Sequence, residues 1–222
     1  MVPAHNSEKE IGKAIQKYND VFSEKFRDFE IIVVCNDCHD NTENICKALQ
    51  STLPIKIINI PERGKGYALN KGFSESKFDI MGFLDADNPF ELDKILKMLE
   101  YLRDYDTVIV SKYLKSSKKK QESLLRRLVS LGGNIFSRIF LGLKYRDTQA
   151  GAKFFNKNVW DKIGGNFICS GFDWDMEFLY RLKKSNYRVA EVYMPARYGK
   201  FSTVRLKHLP GMIIRLLIVR FL

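Results

Sequence analysis

The sequence predicts an α/β domain with a mostly parallel sheet covered by helices. Two patterns carry that reading: β-branched runs with no polar face alternate with amphipathic stretches of ten to fifteen residues, and polar turn-forming residues collect where the runs end. The 222 residues are 45% hydrophobic and 28% charged, with no repeat or low-complexity tract, which suits one domain with a full core. We read residues 1–205 as that domain and 206–222 as a hydrophobic and basic C-terminal segment.

The elements follow in order. Pro3 leaves only two residues for a first strand, so either residues precede it or that strand is short. Ser7 and Glu10 have capping-box spacing ahead of a helix whose apolar positions Ile11, Ala14, Ile15, Tyr18 and Phe22 share a face. "FEIIVV" (29–34) reads as a strand buried on both faces, and Asp40 can cap the helix carrying Ile45, Ala48 and Leu49. "IKIINI" (55–60) is a strand, "GYALNKGFSESK" a helix and "DIMGFL" (79–84) a strand. Pro89 then opens a helix at its first turn, and "TVIVSKY" (107–113) is a further strand. The second half is less regular, with a helical stretch over 124–141 interrupted by Gly132 and Gly133, a helix in "WDMEFLYRLKKS" and a last strand in "YRVAEVYM". Strands alternating with helices imply right-handed crossovers.

Composition narrows function. The formal charge is +11, with much of the excess in residues 111–127, which suits an anionic partner. Four cysteines without a secretory leader point to a reducing compartment; "CNDC" invites a redox or zinc reading, but no second CxxC completes a metal site, and Cys46 and Cys169 stand alone, so neither is expected. The three histidines form no HExxH pattern. No run of some twenty apolar residues spans a bilayer. "MIIRLLIVRFL" (212–222) is apolar except at Arg215 and Arg220, about 140° the other side of one another on a helix, and fits a core helix, a membrane-interface helix or the stub of a longer hydrophobic segment.

The chemistry concentrates at strand ends, where open α/β sheets bind their ligands. In "FLDADNP", Asp85 and Asp87 are two apart in extended chain and point the same way, as two carboxylates sharing a Mg²⁺ or Mn²⁺ would. Gly64 and Gly66 flank Lys65 ahead of a helix, which lets backbone amides and an ammonium approach a phosphate. The spacing fits neither a P-loop nor a dinucleotide fingerprint.

"VPAHNS", "EIIVVCNDCHDNT", "RGKGYALNKGF" and "DIMGFLDAD", in that order, resemble a family 2 glycosyltransferase with the GT-A fold. "RRLVSLGGNIFSRIFLGLKYRDTQAGAKFFNKNVW" and "WDMEFLYRLKKSNYRVAEVYM" resemble the polyprenyl-phosphate sugar synthases that make dolichyl-phosphate glucose or mannose, the glucose type being nearer in "DTQAGAKFF". The resemblance implies a metal-dependent, inverting hexosyltransferase acting at the cytoplasmic face of a membrane. Its donor would be a nucleotide sugar, UDP-glucose first and GDP-mannose next, and its acceptor a polyprenyl or dolichyl phosphate. Pro3, Ala4, Asn6, Asn36, Lys65, Asp85 and Ala86 would meet the donor nucleotide, with Asp85 and Asp87 on the metal and Asp87 its main ligand. Gln149, Asp175 and Glu177, with Asp147, would orient the sugar, and Lys112, Arg126 and Ser130 would hold the acceptor phosphate. Asp87, Asp147 and Arg126 are thus the expected catalytic groups. Cys35-Asn36 stands where the family has two aspartates, and Ser7 where it has a glutamate.

Three other readings compete. A glycosyltransferase of the same fold with a hydroxyl acceptor would use Asp147 or a neighbour as base. A sugar nucleotidyltransferase would release pyrophosphate. A basic nucleic-acid-binding module leaves the DAD and glycine motifs without a purpose, so nucleic acid is not expected as a partner.

Overall fold

The structure, a computed structural model, describes residues 1–87, 90–112, 138–195 and 209–221. Strand β1 (Val2–Ala4) pairs in parallel with β2 (Ile31–Asn36), and β2 with β3 (Ile55–Ile60). A second sheet runs β4 (Ile80–Leu84), β6 (Ala152–Asn156), β5 (Thr107–Ser111), β7 (Val189–Tyr193). Met1 ties the two edges together: its amine donates to the Gly82 carbonyl at 2.9 Å, and Leu84 N–H donates to its carbonyl at 3.1 Å.

The expected mostly parallel sheet needs correction. β6 runs antiparallel to both β4 and β5, while β5 and β7 are parallel, so the second half is mixed. "AKFF" carries the reversal, and nothing in an apolar strand's composition reveals its direction.

Helices cover both faces. On one side α1 (Ile11–Lys25), α2 (Thr42–Gln50) and α4 (Leu92–Leu99) pack Ile11, Ile15, Cys46 and Ile95 against Ile31, Val33 and Cys35 of β2. On the other, α3 (Lys65–Ser74), α5 (Lys157–Ile163) and α6 (Trp174–Lys184) surround Phe83 and Phe155. There Trp174 stacks on Phe178 at 4.9 Å and meets Phe83 edge-on at 6.2 Å. Alternate β2 residues point to opposite sides, which is why "IIVVCN" carries no polar face.

Two helix starts differ in detail. Ser7 and Glu10 do not close a capping box: α1 begins at Ile11, and Ser7 instead accepts the Glu10 and Ile11 N–H groups through its carbonyl. Asp40 does accept the Thr42 N–H at 3.0 Å at the start of α2. The helix expected to open at Pro89 starts at Leu92, and Pro89 itself, like Asn88, lies outside the described residues. Of the helical stretch 124–141, only 138–141 is described, and it is helical.

The C-terminal segment is also corrected. Helix α7 (Leu209–Phe221) is 13 residues, about 20 Å long, and among the described residues no helix is long and apolar enough to cross a membrane. Met212, Leu216 and Val219 pack into the second core. Arg215 Nε donates to Asp173 Oδ2 at 2.5 Å, and Arg220 lies over the Tyr180 ring at 6.0 Å. The two arginines that spoil a two-faced helix are therefore ties to α6 and the turn before it.

Candidate active site

The carboxyl ends of β1, β2 and β4 and the turn before α3 converge, as the strand-end positions require. Asn36 is buried at their centre. With its amide oriented to satisfy both neighbours, its nitrogen donates to the Ala4 carbonyl at 2.9 Å and its oxygen accepts from Gly64 N–H at 3.1 Å. This one side chain clamps three of the segments expected to meet the nucleotide. His5 Nδ1 lies 2.8 Å from the Asn36 carbonyl, which makes Nδ1 the protonated ring nitrogen, and Asn6 Oδ1 accepts His39 N–H at 2.8 Å.

The glycine turn works differently from the expectation. Gly64 N–H is taken by Asn36, and Gly66 N–H donates to the Ser170 carbonyl at 2.8 Å, so these amides fasten the turn rather than face a phosphate. The fit needs glycine: a Cβ on Gly66 would stand 2.6 Å from the Cys169 carbonyl oxygen. What remains aimed at the site is the Lys65 ammonium.

Lys65 Nζ lies 3.0 Å from Asp85 Oδ1, 3.5 Å from Asp175 Oδ2 and 4.5 Å above the centre of the Phe83 ring. Burial works against its charge, but Asp175 and Asp85 outweigh it and raise its pKa, so Lys65 is a fixed cation. Asp175 also takes Lys153 Nζ at 2.6 Å, and Lys153, fully buried, donates to the Ala150 carbonyl at 2.9 Å. For Lys153 burial prevails over Asp175, and its pKa is lowered.

Asp85 is held by its backbone: its N–H donates to Gly151 O at 3.1 Å, and the Tyr18 hydroxyl donates to its carbonyl at 2.7 Å. Gly151 also makes room for the side chain, since a Cβ there would fall 1.8 Å from Asp85 Oδ2. Ala86 is buried, and Asp87 reaches solvent at the mouth. Lost hydration and then the Asp85 charge push the Asp87 carboxyl above the usual carboxylate range. Two like charges that resist joint ionisation are a fit place for a divalent cation. Among the described residues no cluster of three or more His, Cys, Asp or Glu forms a metal site. Asp85 and Asp87 would offer Mg²⁺ or Mn²⁺ two hard oxygen ligands, the kind these ions take.

The remaining expected residues divide. Asp147 is buried and accepts N–H groups from Lys112 at 3.1 Å and Gln149 at 3.3 Å, pinning the loop after β5 to the turn before β6. Lys112 Nζ is 4.0 Å from the same carboxylate. Gln149 donates to Phe172 O at 3.0 Å. Glu177, expected at the sugar, is buried and spent: it accepts Ile168 and Cys169 N–H at 3.2 and 2.7 Å and pairs with Arg181 at 2.7 Å. Through that loop it supports Ser170, which holds Gly66. Pro3 lies on β1 beside Ala4. Arg126 and Ser130 lie outside the described residues.

Sequence reasoning missed Lys153, Tyr18 and Gly151. Lys153 had a signal, a lysine inside the apolar "GAKFF". Tyr18 had none, since it sits on the apolar face of α1 like any core residue.

Residues 1–171 match the family described as Glycosyl transferase family 2. The chain is 28% identical over 211 residues to an uncharacterized protein of Methanocaldococcus jannaschii, covering 92% of this chain and 83% of that one. It is 29% identical over 204 residues to a dolichol-phosphate mannosyltransferase of Pyrococcus furiosus, covering 90% of this chain but only 55% of the relative's length. Crystal structures of glucosyl-3-phosphoglycerate synthase from Mycobacterium tuberculosis cover the whole chain and 78% of theirs. One with Mn²⁺, UDP and glucosyl-3-phosphoglycerate has a TM-score of 0.72 at 19% identity, and one with Mn²⁺ and UDP-glucose has 0.70 at 20%. At that identity the likeness establishes a shared fold. The expectation of Mg²⁺ or Mn²⁺ agrees with these structures, which hold Mn²⁺ or Mg²⁺ with UDP or UDP-glucose.

The acceptor and location are corrected. Three of the crystal structures that match the whole chain carry phosphoglyceric acid or its glucoside, where a polyprenyl or dolichyl phosphate was expected. Against the expected membrane anchor stands that, among the described residues, no helix is long and apolar enough to cross a membrane.

Proposed function

Because the chain belongs to glycosyl transferase family 2, we propose that it transfers a hexose from a UDP-sugar to a hydroxyl acceptor with the help of Mg²⁺ or Mn²⁺. The observation that carries this reading is the convergence of Asp85 and the buried Lys65 cation, 3.0 Å apart, beside Asp87 at the end of β4. A divalent cation on these carboxylates supplies Lewis-acid neutralisation of the charge gathering on the departing nucleoside diphosphate.

The chain's own residues do the rest. Lys65, prevented from swinging by Asp175 and the Phe83 ring, presents a second positive charge that needs no reorganisation as the sugar–phosphate bond breaks. Asn36 holds Ala4 and Gly64 as a rigid floor for the nucleoside, and Asn6 extends it toward His39. Asp147 and Gln149 set the loop on the sugar side, and Asp175 acts through Lys65. The acceptor hydroxyl oxygen attacks the anomeric carbon, the bond from that carbon to the β-phosphate oxygen breaks, UDP departs with the electron pair, and the hydroxyl proton passes to water.

The test is product analysis with UDP-glucose, other UDP-sugars and GDP-mannose. Each is offered with phosphoglyceric acid, a panel of sugar and lipid alcohols, and a short polyprenyl phosphate, with Mn²⁺, Mg²⁺ or chelator. Metal-dependent UDP release with a glycosylated hydroxyl product is expected. Transfer to the polyprenyl phosphate alone, or pyrophosphate release from a nucleoside triphosphate, overturns the reading.

A further inference from the structure

Three cysteines that the proposed reaction does not use pack into one hydrophobic core. Cys35 is the last residue but one of β2, Cys38 follows three residues later beyond a bend at Asp37, and Cys46 comes from α2. Ala4 is the register partner of Cys35 across β1 and β2, so the Cys38 sulfur, which reaches the Ala4 carbonyl, lies beside the strand that carries Cys35. Cys35 and Cys46 are buried, while Cys38 is half-buried and donates through Sγ to the Ala4 carbonyl at 3.4 Å. Between Cys35 and Cys38, Asp37 adopts a left-handed backbone with φ of 51°. Cys38 Sγ also lies 4.0 Å from the Asn36 carbonyl oxygen, so the side chain folds back along the end of β2 toward Cys35.

From this geometry we propose that Cys35 and Cys38 form a redox-modification site: a peroxide joins them in a reversible disulfide that loosens nucleotide binding. Cys38 is the thiol a peroxide can reach. Its sulfur takes one peroxide oxygen, giving a sulfenic acid and releasing water. Cys35 then attacks that sulfur, the S–O bond breaks, a second water leaves and the S–S bond forms. The two thiols lose two electrons and two protons in all, and the peroxide is reduced to water. Burial, and then the nearby Cys35 and Asp40, hold the Cys38 thiol above its ordinary range, which makes the first step slow at neutral pH.

The consequence follows from what lies between the two sulfurs. Asn36 is the residue whose amide clamps Ala4 to Gly64, and its carbonyl takes His5. Drawing Cys38 toward Cys35 removes its bond to Ala4 O and re-sets the Asn36–Asp37 peptide. The disulfide is independent of the donor proposed above, whereas its effect on UDP affinity rests on that reading.

The experiment treats the full chain with hydrogen peroxide at mildly alkaline pH, blocks remaining thiols and cleaves before aspartates without reductant. Cleavage before Asp28, Asp37, Asp40 and Asp79 places Cys35, Cys38 and Cys46 in the separate peptides 28–36, 37–39 and 40–78. A linked 28–36/37–39 pair, lost on adding dithiothreitol, is expected. UDP binding by calorimetry should weaken about tenfold on oxidation and recover on reduction. Cys38→Ser should bind UDP like the reduced parent and ignore peroxide. A 28–36/40–78 link, no link at all, or unchanged UDP affinity in the linked protein overturns the proposal. Failure of the reduced protein to bind UDP counts instead against the proposed donor, and the peptide map still decides the disulfide.

Discussion

The two halves of the molecule handle charge in opposite ways. Between α1 and α4, with Lys65 and Asp85 at the site set apart, the lysine–carboxylate pairs among the described residues are surface pairs: Lys47 with Glu43, Lys56 and Lys71 with Glu75, Lys94 with Glu91. From β6 onward three paired carboxylates are buried, Asp175 with Lys153, Glu177 with Arg181 and Asp173 with Arg215. The first half is held by parallel strands and apolar helix faces, so its charges are free to lie at the strand-end rim. The second half has a mixed sheet and long connections, and its buried charges fix the loops that stand over that rim. A substitution should therefore register first in stability when it falls on the buried network, and first in activity when it falls on the rim.

Lys153→Met gives the largest expected effect on the fold. It leaves Asp175 buried with only the more distant Lys65, and breaking one side of a buried pair costs about 3–5 kcal/mol. Urea or thermal unfolding of the variant measures this, and a loss under about 1 kcal/mol would show that the buried pairs are not what holds the second half.

Asp87→Ala should do the reverse. Turnover is expected to fall by at least about a hundredfold, because a ligand for the diphosphate-bound metal is gone, while the melting temperature stays within a degree or so of the parent's. Full turnover in chelator would remove the metal from the mechanism altogether.

A smaller and more diagnostic effect is the pH dependence of the rim. The Asp87 carboxyl is raised in the fold by lost hydration and by Asp85, so above its folded pKa the charged form costs stability. That cost is relieved as pH falls through the raised value toward the ordinary aspartate value of about 4. Metal binding needs the charged form, so Mn²⁺ affinity should weaken over the same window, with proton release on binding visible by calorimetry in buffers of different ionisation enthalpy. Asp87→Asn should abolish that release, and an unchanged signal would assign it elsewhere.

Much of the first half was legible because local rules decide it. β3 matches "IKIINI" residue for residue, and the strand-end clustering placed Asn36, Lys65 and Asp85 together before any coordinates. The second half was less so, because its determinants are non-local. The direction of β6 depends on which edges remain free, and the work of Glu177 depends on a loop folded back from 168–170. The glycine turn shows the limit of motif reading: glycines beside a lysine were expected to offer amides to a phosphate, whereas Ser170 and Asn36 had already claimed them. Backbone donors are identifiable from sequence, but their partners are not.

The smallest predicted effect tests the other side of the contrast. Lys94 on α4 and Glu91 just before it form a 2.7 Å pair, with side chains 48% and 41% exposed. Water competes for both ends, and ordering two long side chains offsets most of the Coulomb gain. Lys94→Ala should therefore change stability by no more than about 0.5 kcal/mol, and raising the salt should not enlarge the difference. A loss comparable to that of Lys153→Met would mean that the first half, too, depends on its ion pairs, and the division between an apolar-held rim and a charge-held second half would fall.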